Sequence, residues 1–204
     1  MINHGVQTSM KRKTPHAACE LCPLYRQIFC NVEHNLSGKS IESGIDLIVF
    51  GEVPSHEEIL HNRPLIGRAG QIFRRAFNYA KLNTFNYVIS NVVMCSNIVD
   101  GKTNTPPPEA VELCRGNCEF LLKKFSPKLV ILLGATASRA IGILNPNENI
   151  SSIRGKFIKK DDFIFLPIFH PSFILRNGGE FKDGYGKTFL NDFVEAYKYL
   201  INPS

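Results

Sequence analysis

Three cysteines stand within A-C-E-L-C-P-L-Y-R-Q-I-F-C, residues 18–30, half of the six in the chain. In a reducing compartment thiols so placed bind a metal or carry redox chemistry more often than they form disulfides. A second set of reactive side chains is spread more widely, in G-E-V-P-S-H-E-E (51–58), N-V-V-M-C-S-N (91–97), G-A-T-A-S (134–138) and H-P-S-F-I-L-R-N (170–177). A histidine, an asparagine and carboxylates brought to one crevice can perform general acid and base work, or stabilise negative charge on a leaving group. Singly, each has a plainer use, since His-Pro makes turns and Asn caps chain ends.

These segments share one property: each follows a short apolar run. D-L-I-V-F (46–50), Y-V-I-S-N-V-V (87–93), K-L-V-I-L-L-G (128–134) and F-I-F-L-P-I-F (163–169) read as buried strands. Between and after them helical spacing recurs, in Ile72, Phe73, Ala76, Phe77 and Ala80, in Val111, Cys114, Leu121 and Phe125, and in Phe189, Phe193, Ala196, Tyr197 and Leu200. Strand alternating with helix predicts a parallel sheet covered on both faces, with ligands bound beyond the carboxyl ends of the strands. T-P-P-P (105–108) suits a helix entry. S-G-K-S (37–40) and G-Y-G-K-T (184–188) lack the earlier glycine that a phosphate loop needs.

At 204 residues, 44% hydrophobic and 21% charged, the chain is sized for one domain. The expected division is a basic, flexible tail at 1–16 and a domain over 17–204. No long apolar run or signal-like start is present, so no membrane segment and a cytoplasmic location are expected. The net charge of +6 and a pI near 9.0 favour an acidic partner, nucleic acid above all. The M-K-R-K-T stretch serves equally as a solvated tail or a phosphate-binding arm.

Taken in order, G-E-V-P-S-H-E-E, N-R-P-L-I-G-R-A-G, S-N-V-V-M-C, T-P-P-P-E-A-V-E-L-C, P-K-L-V-I-L-L-G-A-T-A and H-P-S-F-I-L-R-N resemble the blocks of the iron–sulfur, family-four uracil-DNA glycosylases, from about residue 17 to 200. The resemblance implies a three-layer α/β/α sandwich with a central four-stranded parallel sheet, acting on DNA as a monomer. It implies an enzyme that flips a pyrimidine out of DNA and hydrolyses its N-glycosidic bond, with no cofactor in the chemistry. It also assigns Cys19, Cys22, Cys95 and Cys114 to a structural [4Fe–4S] cluster. Four thiolates equally suit tetrahedral zinc, the lesser alternative. The segment between Cys95 and Cys114 is a few residues longer than the family pattern. Cys30 and Cys118 have no counterpart; Cys118, one helical turn beyond Cys114, is a substitute ligand or a small buried hydrophobe.

By the same resemblance His170 faces the base oxygen that gains charge, and loss of such a donor costs about 3 kcal/mol. Asn91 reads the pyrimidine edge, and Glu52 positions water or stabilises the cationic sugar, with Glu57 and Glu58 as second choices. Gly51, Val53, Pro54, Ser55 and Leu65 complete the base pocket; Val53 cannot activate water. Leu65 stands where the family places an aromatic that stacks on uracil, a contact worth roughly 1–3 kcal/mol. Leu65, together with the small Ser55, suggests a pocket for a 5-substituted pyrimidine of a phage genome, and hence a defensive role. Residues 173–177 are expected on a loop pressed into the minor groove, with Leu175 as wedge or stack filler and Arg176 on phosphate. Ser172, Arg68 and Gly70 are further DNA contacts. Two rivals remain: a non-catalytic module of the same fold that recognises damaged or single-stranded DNA, and an accessory domain acting through a partner.

Overall fold

The computed structural model describes residue 14 and residues 16–36 and 44–202. The basic residues 11–13 and the S-G-K-S stretch lie outside the described residues. The chain runs through β1 (Glu33–Asn35), β2 (Leu47–Gly51), α1 (His56–His61), α2 (Arg68–Tyr79), β3 (Tyr87–Asn91), β4 (Ile98–Val99), β5 (Lys102–Thr103) and α3 (Pro108–Phe125). It continues through β6 (Leu129–Leu133), α4 (Gly134–Ala140), β7 (Ile158–Lys160), β8 (Phe163–Ile168), α5 (Pro171–Arg176) and α6 (Gly184–Ile201).

The main sheet has the order β1-β3-β2-β6-β8-β7. Its four central strands are parallel, as expected. The sheet is nonetheless six-stranded rather than four-stranded, because β1 and β7 pair antiparallel along its two edges. Those edges are E-H-N and I-K-K, too short and polar to show an apolar pattern, and polar, short strands suit exposed edges.

Each face of the sheet has its own core. Leu47 and Val49 of β2 join Phe73 and Phe77 of α2 and Phe189 and Phe193 of α6. Ile48 and Phe50 point the other way, to Cys118, Leu121 and Leu122 of α3 and Ala137 of α4. The alternation follows from the two-residue repeat of a strand. Cover on both faces explains why β2, β3 and β6 are buried throughout.

From β2 the chain passes to β3 on one side, then crosses by way of α3 to β6 on the other. This makes the β2/β6 boundary a topological switch point, where a crevice opens beyond the carboxyl ends. Entry to α3 is set by proline, with Pro107 as cap and Pro108 in the first turn. The longer segment ahead of it holds the β4–β5 ribbon, turned at Asp100 (φ 51°) and Gly101 (φ 72°). Two consecutive positive φ values suit a tight Asp-Gly hairpin.

Candidate active site

Glu52, Asn91 and His170 come to one end of the sheet because they end or follow the carboxyl ends of three parallel strands, β2, β3 and β8. Gly51 pairs with Asn91 across β2 and β3. A Cβ on Gly51 would collide with the Asn91 side-chain oxygen, so glycine is what lets that carboxamide lie over the end of β2. Asn91 is buried. On the far side Leu133 pairs with Ile168, and the next residue, Gly134, has φ +85° and lies against the His170 side chain. Glu52 is bound across the switch point, where the Thr136 hydroxyl donates to its Oε1 at 2.9 Å.

The His170 ring is the N-cap of α5. Its Nδ1 accepts the Ser172 backbone N–H at 3.2 Å and lies 2.8 Å from the Ser172 hydroxyl. An amide N–H can meet only a lone pair, so Nδ1 is unprotonated and the proton of the neutral ring sits on Nε2. Burial, with the nearby Arg176 charge, pushes the His170 pKa down to about 4. At neutral pH the site therefore holds a neutral imidazole whose Nε2–H donates.

Leu65 is held in the left-handed region, φ 54°, which costs a branched side chain roughly 1–3 kcal/mol. Contacts from two sides hold it there. Arg74 donates through Nε to the Leu65 carbonyl at 3.1 Å and through Nη2 to the Pro64 carbonyl at 2.9 Å, while its guanidinium also pairs with Glu33. On the other side the Glu58 carboxylate accepts the N–H groups of Ser55, Leu65 and Ile66, and burial raises its pKa. A Cβ on Gly51 would lie 3.7 Å from Leu65 Cδ2, so this side chain borders the crevice.

The remaining expected residues separate into groups. Ser55 and Glu58 form the reciprocal cap of α1, so Glu58 has a structural partner set and Ser55 directs its hydroxyl to the helix. Glu57 is exposed, and its carboxylate lies beside Gly67. Pro54 is buried. Val53 turns toward Leu24, Val93 and Ala110, alongside Cys22, Cys95 and Cys114. Arg68 begins α2 and is exposed; Gly70, two residues on, is buried against the Leu65 backbone.

The expected loop at 173–177 is instead helix α5 through Arg176. Pro171 in the first turn and the His170 cap favour a helix there. Leu175 is half-buried against the core below α5, while Arg176 is exposed.

The cysteines converge through an unannounced pairing. Phe29 bridges Cys95, supported by Cys30 N–H to the Met94 carbonyl and Ser96 N–H to the Ile28 carbonyl, both 2.9 Å. Cys95 feels Cys114, Cys19 and Cys22, and burial together with those neighbours raises its pKa to about 12. Donors point at these sulfurs: Asn117 Nδ2 reaches Cys114 Sγ at 3.4 Å, and backbone amides of Leu24 and Met94 bond Cys22 and Cys114; the Thr14 hydroxyl shares a hydrogen bond of 3.4 Å with Cys19 Sγ, in which either atom can donate. Among the described residues no group of three or more His, Cys, Asp or Glu is arranged to hold a metal ion as it stands. The donor set nevertheless fits a thiophilic cluster, whose sulfurs take such hydrogen bonds. Cys118 is fully buried in the α3 core, and Cys30 is buried with its sulfur on the Glu58 carbonyl at 3.7 Å; both behave as small hydrophobes.

Thr136, a hydroxyl residue in the first turn of the glycine-led helix α4, is a site residue that sequence reasoning missed; a hydroxyl soon after β6 is the available signal. Ser172 was expected on DNA, and the structure adds its part in setting the His170 ring. Two clefts, of about 610 and 650 Å³, lie apart from Glu52, Leu65, Asn91 and His170. Among the described residues no helix is long and apolar enough to cross a membrane.

A family model described as the uracil DNA glycosylase superfamily matches residues 39–200. The type-4 uracil-DNA glycosylase of Thermotoga maritima is 29% identical over 165 residues, 78% of this chain and 79% of that protein. That of Pyrobaculum aerophilum is 26% identical over 192 residues, 88% of this chain and 94% of its own. The Archaeoglobus fulgidus protein of the same name is 26% identical over 136 residues, 64% and 67% of the two chains.

Proposed function

Because the chain belongs to the uracil DNA glycosylase superfamily, we propose that it is a DNA glycosylase that extrudes uracil from DNA and hydrolyses its N-glycosidic bond, leaving an abasic site. The bond between the sugar C1′ and the base nitrogen breaks, and its electron pair leaves with the base. His170 Nε2–H donates to the base oxygen on which that charge collects. Glu52, its carboxylate fixed by Thr136, orients the water whose oxygen bonds to C1′ and offsets positive charge on the sugar; the proton which that water gives up ends on the released base anion, leaving a neutral base and an abasic sugar. Asn91 pairs donor and acceptor with the pyrimidine edge. The observation that carries this reading is the Ser172 N–H bonded to His170 Nδ1, which leaves the donating nitrogen turned elsewhere.

Cys19, Cys22, Cys95 and Cys114 hold a [4Fe–4S] cluster in this reading, with zinc as the lesser alternative. The cluster ties the N-terminal segment to α3 and takes no part in the reaction. The protein acts as a cytoplasmic monomer, one domain over 17–204 behind a basic tail, with Arg68, Gly70, Ser172, Leu175 and Arg176 along the DNA. A larger, 5-substituted pyrimidine is the second substrate reading, favoured by the aliphatic Leu65 at the crevice and by a Ser55 hydroxyl turned to the helix cap.

Incubation with duplexes carrying uracil or a 5-substituted pyrimidine, followed by scoring of abasic sites, tests these readings. Uracil release that His170→Ala abolishes supports the first; release confined to the substituted base replaces uracil with the larger substrate. Tight binding without release of either would make the chain a recognition module.

A further inference from the structure

Beside α5 lies a cleft of about 610 Å³ between α2 and the turn that follows Arg176. Ile72, Arg75 and Tyr79 stand three and four residues apart and so share one face of α2. Opposite them Gly179 approaches Ile72 closely, and Phe181 presents its ring to Arg75, whose guanidinium carbon is 5.1 Å from the ring centroid. Tyr79 is 69% exposed, unusual for a ring that could have packed inward. The floor, Ile72 and Leu175, is apolar, whereas the rim carries Arg75, with Lys182 answered by Glu180 at 3.5 Å.

We infer that this cleft is a second nucleotide site, which takes an unpaired base of the DNA strand flanking the extruded one. Aromatic rings beside a cationic rim are the means by which proteins hold single strands, the base stacking and the phosphate meeting the guanidinium. A paired base has both faces covered by its neighbours and cannot enter a concave site. The cleft lies apart from the proposed active site but is joined to it through α5, because Leu175 on its floor and His170 at the site belong to the same short helix and its cap. Single-stranded or frayed DNA is therefore held at two points, and fully paired DNA at one.

This inference rests on the reading that the chain acts on DNA. Its test is fluorescence anisotropy with two probes, a single-stranded thymidine homopolymer and a blunt duplex containing a central abasic analogue. Tyr79→Ala, at a position 69% exposed, is expected to weaken single-strand binding about tenfold and leave the duplex unchanged. Tyr79→Phe keeps the ring and restores binding; Arg75→Gln weakens the single strand in the same direction. Unchanged single-strand affinity in both Tyr79→Ala and Arg75→Gln overturns the proposal, as does an equal loss on both probes. Uracil release from a separate blunt duplex carrying one central uracil, measured in parallel, separates this outcome from failure of the glycosylase reading, which predicts release whatever happens at the cleft.

Discussion

The Thr136 hydroxyl donates to Glu52 Oε1 at 2.9 Å, joining the first turn of α4 to the residue after β2 across the switch point of the sheet. A hydrogen bond to a charged carboxylate contributes about 1.5–3 kcal/mol. Here its consequence is directional, because one oxygen is fixed and the other is aimed by it. Thr136→Val keeps the shape and removes the donor. It should lower kcat by roughly 10- to 100-fold with KM little changed, and Thr136→Ser should recover most of the loss. A fall in melting temperature without a fall in kcat would show that the bond only braces the fold.

The neutral His170 predicts an unusual acid limb. Its pKa lies near 4 because burial disfavours the charged ring and Arg176 adds positive charge. Protonation of His170 therefore removes activity only near pH 4, rather than near its ordinary 6.5. The folded pKa is depressed, so the associated stability is fully present above 6.5 and is lost as pH falls through 4. Arg176→Gln removes the smaller cause, and the His170 titration followed by NMR should move upward while staying below 6.5. An unchanged titration would leave burial as the sole cause.

The parts of this fold visible in the sequence are those covered on both sides. D-L-I-V-F and K-L-V-I-L-L-G are continuous apolar runs because each face of the sheet meets a helix layer. The edge strands E-H-N and I-K-K carry no such pattern, and their pairing depends on neighbours distant in sequence. Glu52, Asn91 and His170 were legible as residues following strands. Thr136 was not, since its role exists only once β2 and β6 are adjacent. Nor does any local pattern announce the left-handed backbone of Leu65, which Arg74 and Glu58 impose from other segments. Helix α5 was mistaken for a loop because a six-residue helix begun by His-Pro has too few turns to show periodicity.

Leu65 offers a direct test of that imposed backbone. At an ordinary buried position Leu→Gly is worse than Leu→Ala, because glycine gives the unfolded chain more freedom. At φ 54° alanine retains the steric penalty and glycine does not. Leu65→Gly should therefore be the more stable of the two variants by roughly 1 kcal/mol, read from urea midpoints at equal slope. Both should lose the apolar wall of the crevice, and with it turnover. The opposite order of stability would mean that the loop relaxes when Leu65 is removed, and that Arg74 and Glu58 do not fix it.

Cys114 and Cys118 stand one helical turn apart on α3, yet their surroundings differ. Cys114 faces the cysteine group, with Asn117 Nδ2 at 3.4 Å from its sulfur, while Cys118 is fully buried between α3 and the sheet. Burial drives the Cys118 thiol far above its ordinary range, as expected of a side chain that stays protonated in an apolar core. On the proposed ligand set, Cys114→Ser should abolish bound iron and acid-labile sulfide and lower the melting temperature, leaving the stacking of His16 on Phe120 to hold the N-terminal segment to α3. Cys118→Ala should leave iron and sulfide at the level of the unsubstituted chain and cost about 1 kcal/mol of packing. Zinc in place of iron in the purified protein would keep the ligand set and change its occupant. Loss of iron from Cys118→Ala with retention in Cys114→Ser would exchange the two roles, moving the fourth ligand one turn along the helix.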